Sequence, residues 1–260
     1  MKMRSRYQWI VALAALGILG ALYPLAQKSL QPVSRENFQS QAQLEAATSA
    51  KTTPTEQPET LPAANANLSP EAQTIYAQVN PAVVTVYSVR ELGSGMIVRS
   101  QGLVLTNKHL VQNLARVKVK TSTGQVYDGA VVDFDLQYDL ALIKLDQTEQ
   151  PLPTVALAET VTLQTGDRLY AIGNPAGKPG VLSSGTFVQT TEHGSLQISA
   201  GMLAPGNSGG PLINTAGLVV GINKGLLADK TGLATAVKPL QTLIQRYESI
   251  NSEPARQPKS

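Results

Sequence analysis

Residues 205–211 read Pro-Gly-Asn-Ser-Gly-Gly-Pro. A serine between glycines can sit on a tight turn that exposes its hydroxyl, and a glycine before it lets backbone N–H groups converge on an oxyanion. Those are the parts of an acyl-transfer site with Ser208 as nucleophile. Taken alone, the segment reads better as a loop between strands. A serine nucleophile needs a base, and the chain holds two histidines, His109 and His193. Both precede Ser208. That excludes the serine-hydrolase order Ser, acid, His, in which the serine also opens a crossover helix. The order His, acid, Ser is satisfied by His109, Asp139 and Ser208. A Ser–Lys dyad with a downstream lysine has no motif behind it. His109 ends an apolar stretch, Leu103 to Val111, where a rigid strand would present it; its plain alternative is a surface histidine at a turn. His193, in Thr191-Glu192-His193-Gly194, has no apolar frame and reads as an exposed turn residue. Asp139 directly precedes the apolar run 140–145, where a partly buried carboxylate could orient an imidazole or merely cap a strand. Asp133 and Asp135 compete with it from a more polar stretch.

The elements that must position these groups are short strands. Val117, Val119 and Thr121 alternate with Lys118 and Lys120, the period of a half-buried strand. Strands are expected at 82–89, 93–98, 102–106, 116–121, 126–132, 140–145, 168–172, 185–190, 196–199, 211–213, 218–222 and 233–237. Their spacing of roughly ten residues with Gly-bearing turns indicates an all-β barrel or sandwich. Ser69-Pro70-Glu71 opens a short helix ending near Val79, with Ser as N-cap and Pro at the first helical position. Leu240, Leu243, Ile244, Tyr247 and Ile250 form the packing stripe of a last helix.

Composition narrows the function further. There is no cysteine among the 260 residues, which excludes disulfides, thiolate metal sites and a cysteine nucleophile. Between residues 70 and 250, 8 Lys and 5 Arg balance 7 Asp and 6 Glu, so the net charge of +3 lies in the flanks. A neutral body without a basic stripe argues against nucleic-acid binding. Lys2, Arg4 and Arg6 precede an apolar run over residues 9–26, the pattern of a signal peptide or signal anchor within residues 1–28 that carries the rest of the chain across a membrane. Pro24-Leu25-Ala26 is a poor small-x-small ending, which favours an uncleaved membrane anchor over a secreted product. Residues 29–68, rich in Gln, Ala, Thr, Ser and Pro, read as a flexible linker. The folded body is then 69–250, with a polar tail at 251–260.

Several blocks in order resemble the trypsin-like serine proteases, specifically the HtrA (Deg) type. They are Gly93-Ser94-Gly95-Met96-Ile97-Val98, Leu105-Thr106-Asn107-Lys108-His109-Leu110-Val111, Asp139-Leu140-Ala141-Leu142-Ile143-Lys144, Ala171-Ile172-Gly173-Asn174-Pro175 and Gly206-Asn207-Ser208-Gly209-Gly210-Pro211-Leu212. Asn80-Pro81-Ala82-Val83-Val84 and Val220-Gly221-Ile222-Asn223 also fit, and the resemblance spans about residues 72–245. It implies two orthogonal six-stranded β-barrels with His109 and Asp139 from the first and Ser208 from the second. It implies an endopeptidase acting on unfolded or misfolded polypeptides, with the N–H groups of Gly206 and Ser208 as oxyanion hole and with no metal or other cofactor. A homotrimer built through N-terminal residues would also follow, although residues 29–80 carry no trimer signature.

Departures from the family pattern sharpen the expectations. HtrA proteins usually carry C-terminal PDZ domains, and this sequence ends about ten residues after its last helix, so PDZ regulation in cis is not expected. Asn207 stands where trypsin-type enzymes have the Asp that pairs with a new N-terminus, so that activation is not expected either. Met202, six residues before the serine, replaces trypsin's acid and favours small or medium aliphatic residues before the scissile bond. Asn223 and Lys224 fall on the substrate-binding strand; Lys224 replaces a small polar residue and would favour acidic neighbours or simply be solvated. Ala204 replaces an Asn, which leaves the loop before the serine open to a different shape. The rival to a protease is a non-catalytic binding module of the same chymotrypsin-like fold. A structural, membrane-anchored adaptor would explain the anchor but not the turn at 206–211.

Overall fold

A computed structural model describes residues 65–88, 92–148 and 150–252. The expected anchor at 9–26, most of the linker and the end of the tail lie outside the described residues. Among the described residues no helix is long and apolar enough to cross a membrane.

Among the described residues twelve strands form two closed antiparallel barrels. The first contains β1 (Val83–Tyr87), β2 (Leu92–Arg99), β3 (Leu103–Asn107), β4 (Arg116–Lys120), β5 (Val126–Asp135) and β6 (Leu140–Leu145), in the order 1-2-3-6-5-4. The second contains β7 (Arg168–Gly173), β8 (Val181–Thr190), β9 (Ser195–Ile198), β10 (Pro211–Ile213), β11 (Val219–Leu226) and β12 (Gly232–Ala236), in the order 7-8-9-12-11-10. The two orders are the same, so one topology is used twice. Closure leaves neither sheet an unpaired edge. β4 alternates as its sequence indicates, with Val117 and Val119 buried and Arg116, Lys118 and Lys120 exposed. β3 is buried at every position, as a strand covered on both faces must be.

Among the described residues the α-helices are α1 (Pro70–Val79), α2 (Lys108–Val111) and α3 (Val237–Ser252). The Ser69 hydroxyl accepts from the Ala72 amide at 3.3 Å, the N-cap bond that the sequence predicts. α1 buries Ile75, Tyr76 and Val79. Burial and then the Glu71 carboxylate push the Tyr170 hydroxyl above its ordinary pKa, tying α1 to β7. α3 buries Leu240, Leu243 and Ile244 and is fastened to the first barrel by Arg246 on Asp133 (2.7 Å) and Glu248 on Arg99 (2.5 Å). Asp133 and Asp135 therefore belong to a strand rather than to the polar loop expected for them. Asp133 binds Arg246, and Asp135 accepts from the Tyr138 amide at 3.0 Å.

The ordered body begins before Ser69. Asn65 is fully buried; its amide donates to Gly180 O (2.8 Å) and accepts from Leu182 N (3.1 Å) at the start of β8. Replacing Asn65 by Ala leaves a buried donor and acceptor unpaired, a cost of about 1–3 kcal/mol. Thermal denaturation should show Tm lowered by roughly 2–4 °C per kcal/mol in a domain of this size.

Candidate active site

The candidate base and acid meet at the end of the first barrel. β3 runs directly into α2, whose second residue is His109. Asp139 closes the four-residue loop between β5 and β6 with φ of +56°, a left-handed conformation that Asp tolerates better than most side chains. That conformation is held from several sides. Asp139 O accepts from Lys108 N (3.1 Å) and from the Asn107 amide (3.0 Å), and Thr235 Oγ1 of β12 donates to the neighbouring Tyr138 O (3.0 Å). The carboxylate is thereby aimed at His109. Oδ1 accepts from the His109 backbone N–H at 2.9 Å, and Oδ2 lies 2.6 Å from His109 Nδ1. The Asp139 side chain is 17% exposed and that of His109 is 37% exposed, so the acid is sheltered while the imidazole is reachable. With Nδ1–H donating to the carboxylate, Nε2 is the accepting nitrogen.

Ser208 comes from the second barrel on two consecutive turns. Asn207 N donates to Ala204 O (3.0 Å) and Gly210 N donates to Asn207 O (2.9 Å). The third residue of the first turn is Gly206 (φ +102°), and that of the second is Gly209 (φ +84°). These are type II turns, in which the third position needs positive φ, and Pro205 stands at the favoured second position of the first. Ser208 occupies the second position of the other, at the corner. Among the described residues no acceptor takes the amide N–H of Gly206 or of Ser208. The Asn207 side chain closes the loop by accepting from Ala204 N at 3.0 Å. The replaced residues Ala204 and Asn207 thus bond to each other, backbone to backbone and backbone to side chain.

The two halves adjoin. Ser94 N of β2 donates to Ser208 O at 2.8 Å, and Thr106 Oγ1, three residues before His109, donates to Ser94 O at 2.7 Å. On the other side Gly209 N donates to Asn223 O and Asn223 N to Gly210 O, both at 2.9 Å. Lys224 is the extra residue of a bulge, since Asn223 pairs with Ala234 and Gly225 with Leu233. A bulge re-aims the backbone it interrupts, and here the Lys224 carbonyl accepts from Ser208 Oγ at 3.2 Å.

The remaining expected site residues differ in what they present. Met202 is buried in the second barrel's core with Phe187, Ile198 and Leu203, packed over Gly185. Asn223 is fully buried with its amide on Pro211 O (3.1 Å), so its side chain supports the serine turn and offers a substrate nothing. Lys224 is half-buried beside the nucleophile. His193 sits on an exposed turn, as its sequence context indicates. Among the described residues no group of three or more His, Cys, Asp or Glu is placed to hold a metal ion. The roles of Ser94, Asn107 and Asn174 around the site are not expected from sequence. The available signal was a small polar residue between glycines inside an apolar strand, which marks close backbone approach.

A family model described as "Trypsin-like peptidase domain" matches residues 93–222, which include His109, Asp139 and Ser208. Among curated proteins, Serine protease HTRA1A of Danio rerio is 34% identical over 68% of this chain and 41% of its own length. Serine protease HTRA1 of Xenopus laevis is 35% identical over 57% of this chain and 37% of its own length. The chain therefore spans about two fifths of the length of these curated relatives. Among solved structures, the serine endoprotease from Yersinia pestis superposes with a TM-score of 0.63 at 30% identity, covering 71% of this chain and 69% of that one. Two six-stranded barrels, an Asp–His pair on the first, a serine on a double glycine turn of the second, and these likenesses together make the chain a member of the trypsin-like peptidase family, with HtrA-type and Do-like serine proteases as its relatives.

Proposed function

We propose that the chain is a serine endopeptidase of the HtrA type that cleaves unfolded or misfolded polypeptides through an acyl-enzyme. The observation that carries the reading is the 2.6 Å Asp139–His109 contact at the end of one barrel, together with Ser208 of the other, bonded to β2 through its carbonyl, where among the described residues no acceptor takes the Gly206 or Ser208 amide. In this reading the Ser208 hydroxyl turns about one side-chain bond from the Lys224 carbonyl to His109 Nε2. Ser208 Oγ attacks the peptide carbonyl as His109 takes its proton. The N–H groups of Gly206 and Ser208 receive the developing oxyanion, and His109 then returns the proton to the leaving amine. Asp139 holds the imidazole tautomer and stabilises its charged form. One oxyanion donor of this kind typically lowers the barrier by roughly 3–4 kcal/mol. Water hydrolyses the acyl-enzyme by the same steps in reverse roles.

Met202 in place of an acid favours aliphatic residues before the scissile bond. The basic flank and apolar run at residues 9–26 support a tether that holds the protease body on the far side of a membrane, in an envelope compartment. A fluorophosphonate probe tests the activity. The full chain should be labelled on Ser208 and should cleave casein, and Ser208→Ala and His109→Ala should lose both properties. A wild-type protein that stays unlabelled with unfolded substrate present would leave a chymotrypsin-fold binding module as the better description.

A further inference from the structure

We propose that Ser94 is the positioning residue that registers the anion-binding turn against the His109–Asp139 pair, an inference that rests on the protease reading above. The chemistry needs groups from two barrels to meet with sub-ångström accuracy, since catalytic constellations must be held within about 0.5 Å of their productive geometry. His109 and Asp139 are fixed to β3, α2 and β6, whereas Gly206 and Ser208 are fixed to the second barrel. Some residue must tie one set to the other.

Ser94 does so with all of its polar atoms. It is fully buried on β2. Its amide donates to Ser208 O (2.8 Å), and its hydroxyl donates to Gly206 O (2.6 Å) while accepting from Asn174 N (3.0 Å). Its carbonyl accepts from Thr106 Oγ1 (2.7 Å), and Thr106 lies on the strand that leads into His109. One residue of the first barrel therefore grips the carbonyls of both residues whose amides would bind the oxyanion. The Gly206–Asn207 and Ser208–Gly209 peptides are thereby both held to β2, and the path from Ser208 to His109 runs through Ser94 and Thr106 and then along the chain. The hydroxyl is the part of this clamp that can be removed alone. Without it, Gly206 O keeps only the 3.4 Å contact from Asn174 N, and Asn174 N loses its 3.0 Å acceptor.

Gly206 and Ser208 would remain present but less well placed, which weakens transition-state binding and leaves ground-state binding intact. Losing an oxyanion donor outright costs about 10²–10³ in kcat, so loosening it should cost about 10- to 100-fold. The test is Ser94→Ala in the full chain, assayed with an unfolded polypeptide and a chromogenic peptide. The expected result is that fall in kcat, KM within about twofold of wild type, and a parallel loss of affinity for a peptide boronate that mimics the tetrahedral species. Binding of uncleaved peptide, measured in the Ser208→Ala background, should stay unchanged. Thr106→Val, which removes only the bond supporting Ser94 O, should lower kcat in the same direction by a smaller factor, and it serves if Ser94→Ala does not fold. Turnover within threefold of wild type in the folded variants, a loss confined to KM, or boronate affinity that does not follow kcat overturns the assignment. If the wild-type protein itself fails the fluorophosphonate test, the protease reading falls and this one with it.

Discussion

Asp139→Asn should lower turnover by about four orders of magnitude while leaving the protein folded, because the side chain must be an acceptor at both of its oxygens. Oδ1 takes the His109 backbone N–H and Oδ2 takes Nδ1–H. An asparagine can satisfy only one of these. If its NH₂ faces Nδ1, the imidazole must accept there, the proton moves to Nε2, and Nε2 can no longer take the proton of Ser208. If its NH₂ faces the backbone amide, two donors oppose each other at the start of α2 and the ring loses its anchor. Either arrangement also withdraws the negative charge that stabilises the imidazolium. Ser208→Ala removes the nucleophile itself and should cost more, on the order of 10⁶ in kcat when measured against the same peptide. Single-turnover kinetics with circular dichroism on both variants checks the pair of values. Normal turnover in Asp139→Asn would show that the 2.6 Å contact has no part in the reaction.

The strand pattern and the serine turn were legible in the sequence because both rest on local rules. Alternation along 116–121 marks β4, and the apolar run 140–145 coincides with β6. Every expected strand is present, with ends displaced by a few residues at most. The exceptions are physical. β8 starts at Val181 because residues 181–184 pair with residues 170–173 of β7, and β11 continues to Leu226 through a bulge that no local signal marks. α2 is a single turn, too short for a helical period to appear, so its residues read as the end of a strand.

The supporting polar groups were not legible because their partners are far away in the chain. Ser94 reaches across 112 positions to Gly206, Asn174 across 90 to Val84, and Asn65 across 115 to Gly180. Apart from the glycines on either side of Ser94, nothing within a window of ten residues distinguishes such a serine or asparagine from a surface one. Asn65 is the clearest case, since a polar, low-complexity neighbourhood predicts solvent and the structure buries it completely. Long-range satisfaction of buried polar groups is what links the flank, the barrel interface and the serine turn.

Gly209→Ala should abolish most of the activity, through the same contact region. The turn needs φ of +84° at this position, and an alanine there carries strain of roughly 1–2 kcal/mol. The larger obstacle is space. A Cβ would overlap the Ser94 carbonyl oxygen and sit 2.5 Å from Thr106 Oγ1, and the carbonyl is backbone that cannot rotate away. The turn must therefore move off β2, taking Ser208 with it and breaking the bond from Ser94 N to Ser208 O. A displacement of about 1 Å at the reacting atoms costs on the order of 10² in rate. Gly194 supplies the control. Its φ of +76° is similar, and a Cβ there meets no atom within 4 Å. Gly194→Ala should thus show the backbone strain alone, as a lowered Tm with kcat unchanged, whereas Gly209→Ala should lose kcat by at least about 100-fold in addition. Equal kinetics in the two variants, measured below both melting temperatures, would mean that the serine turn tolerates movement against the first barrel, and the requirement for registration across the barrels would fail with it.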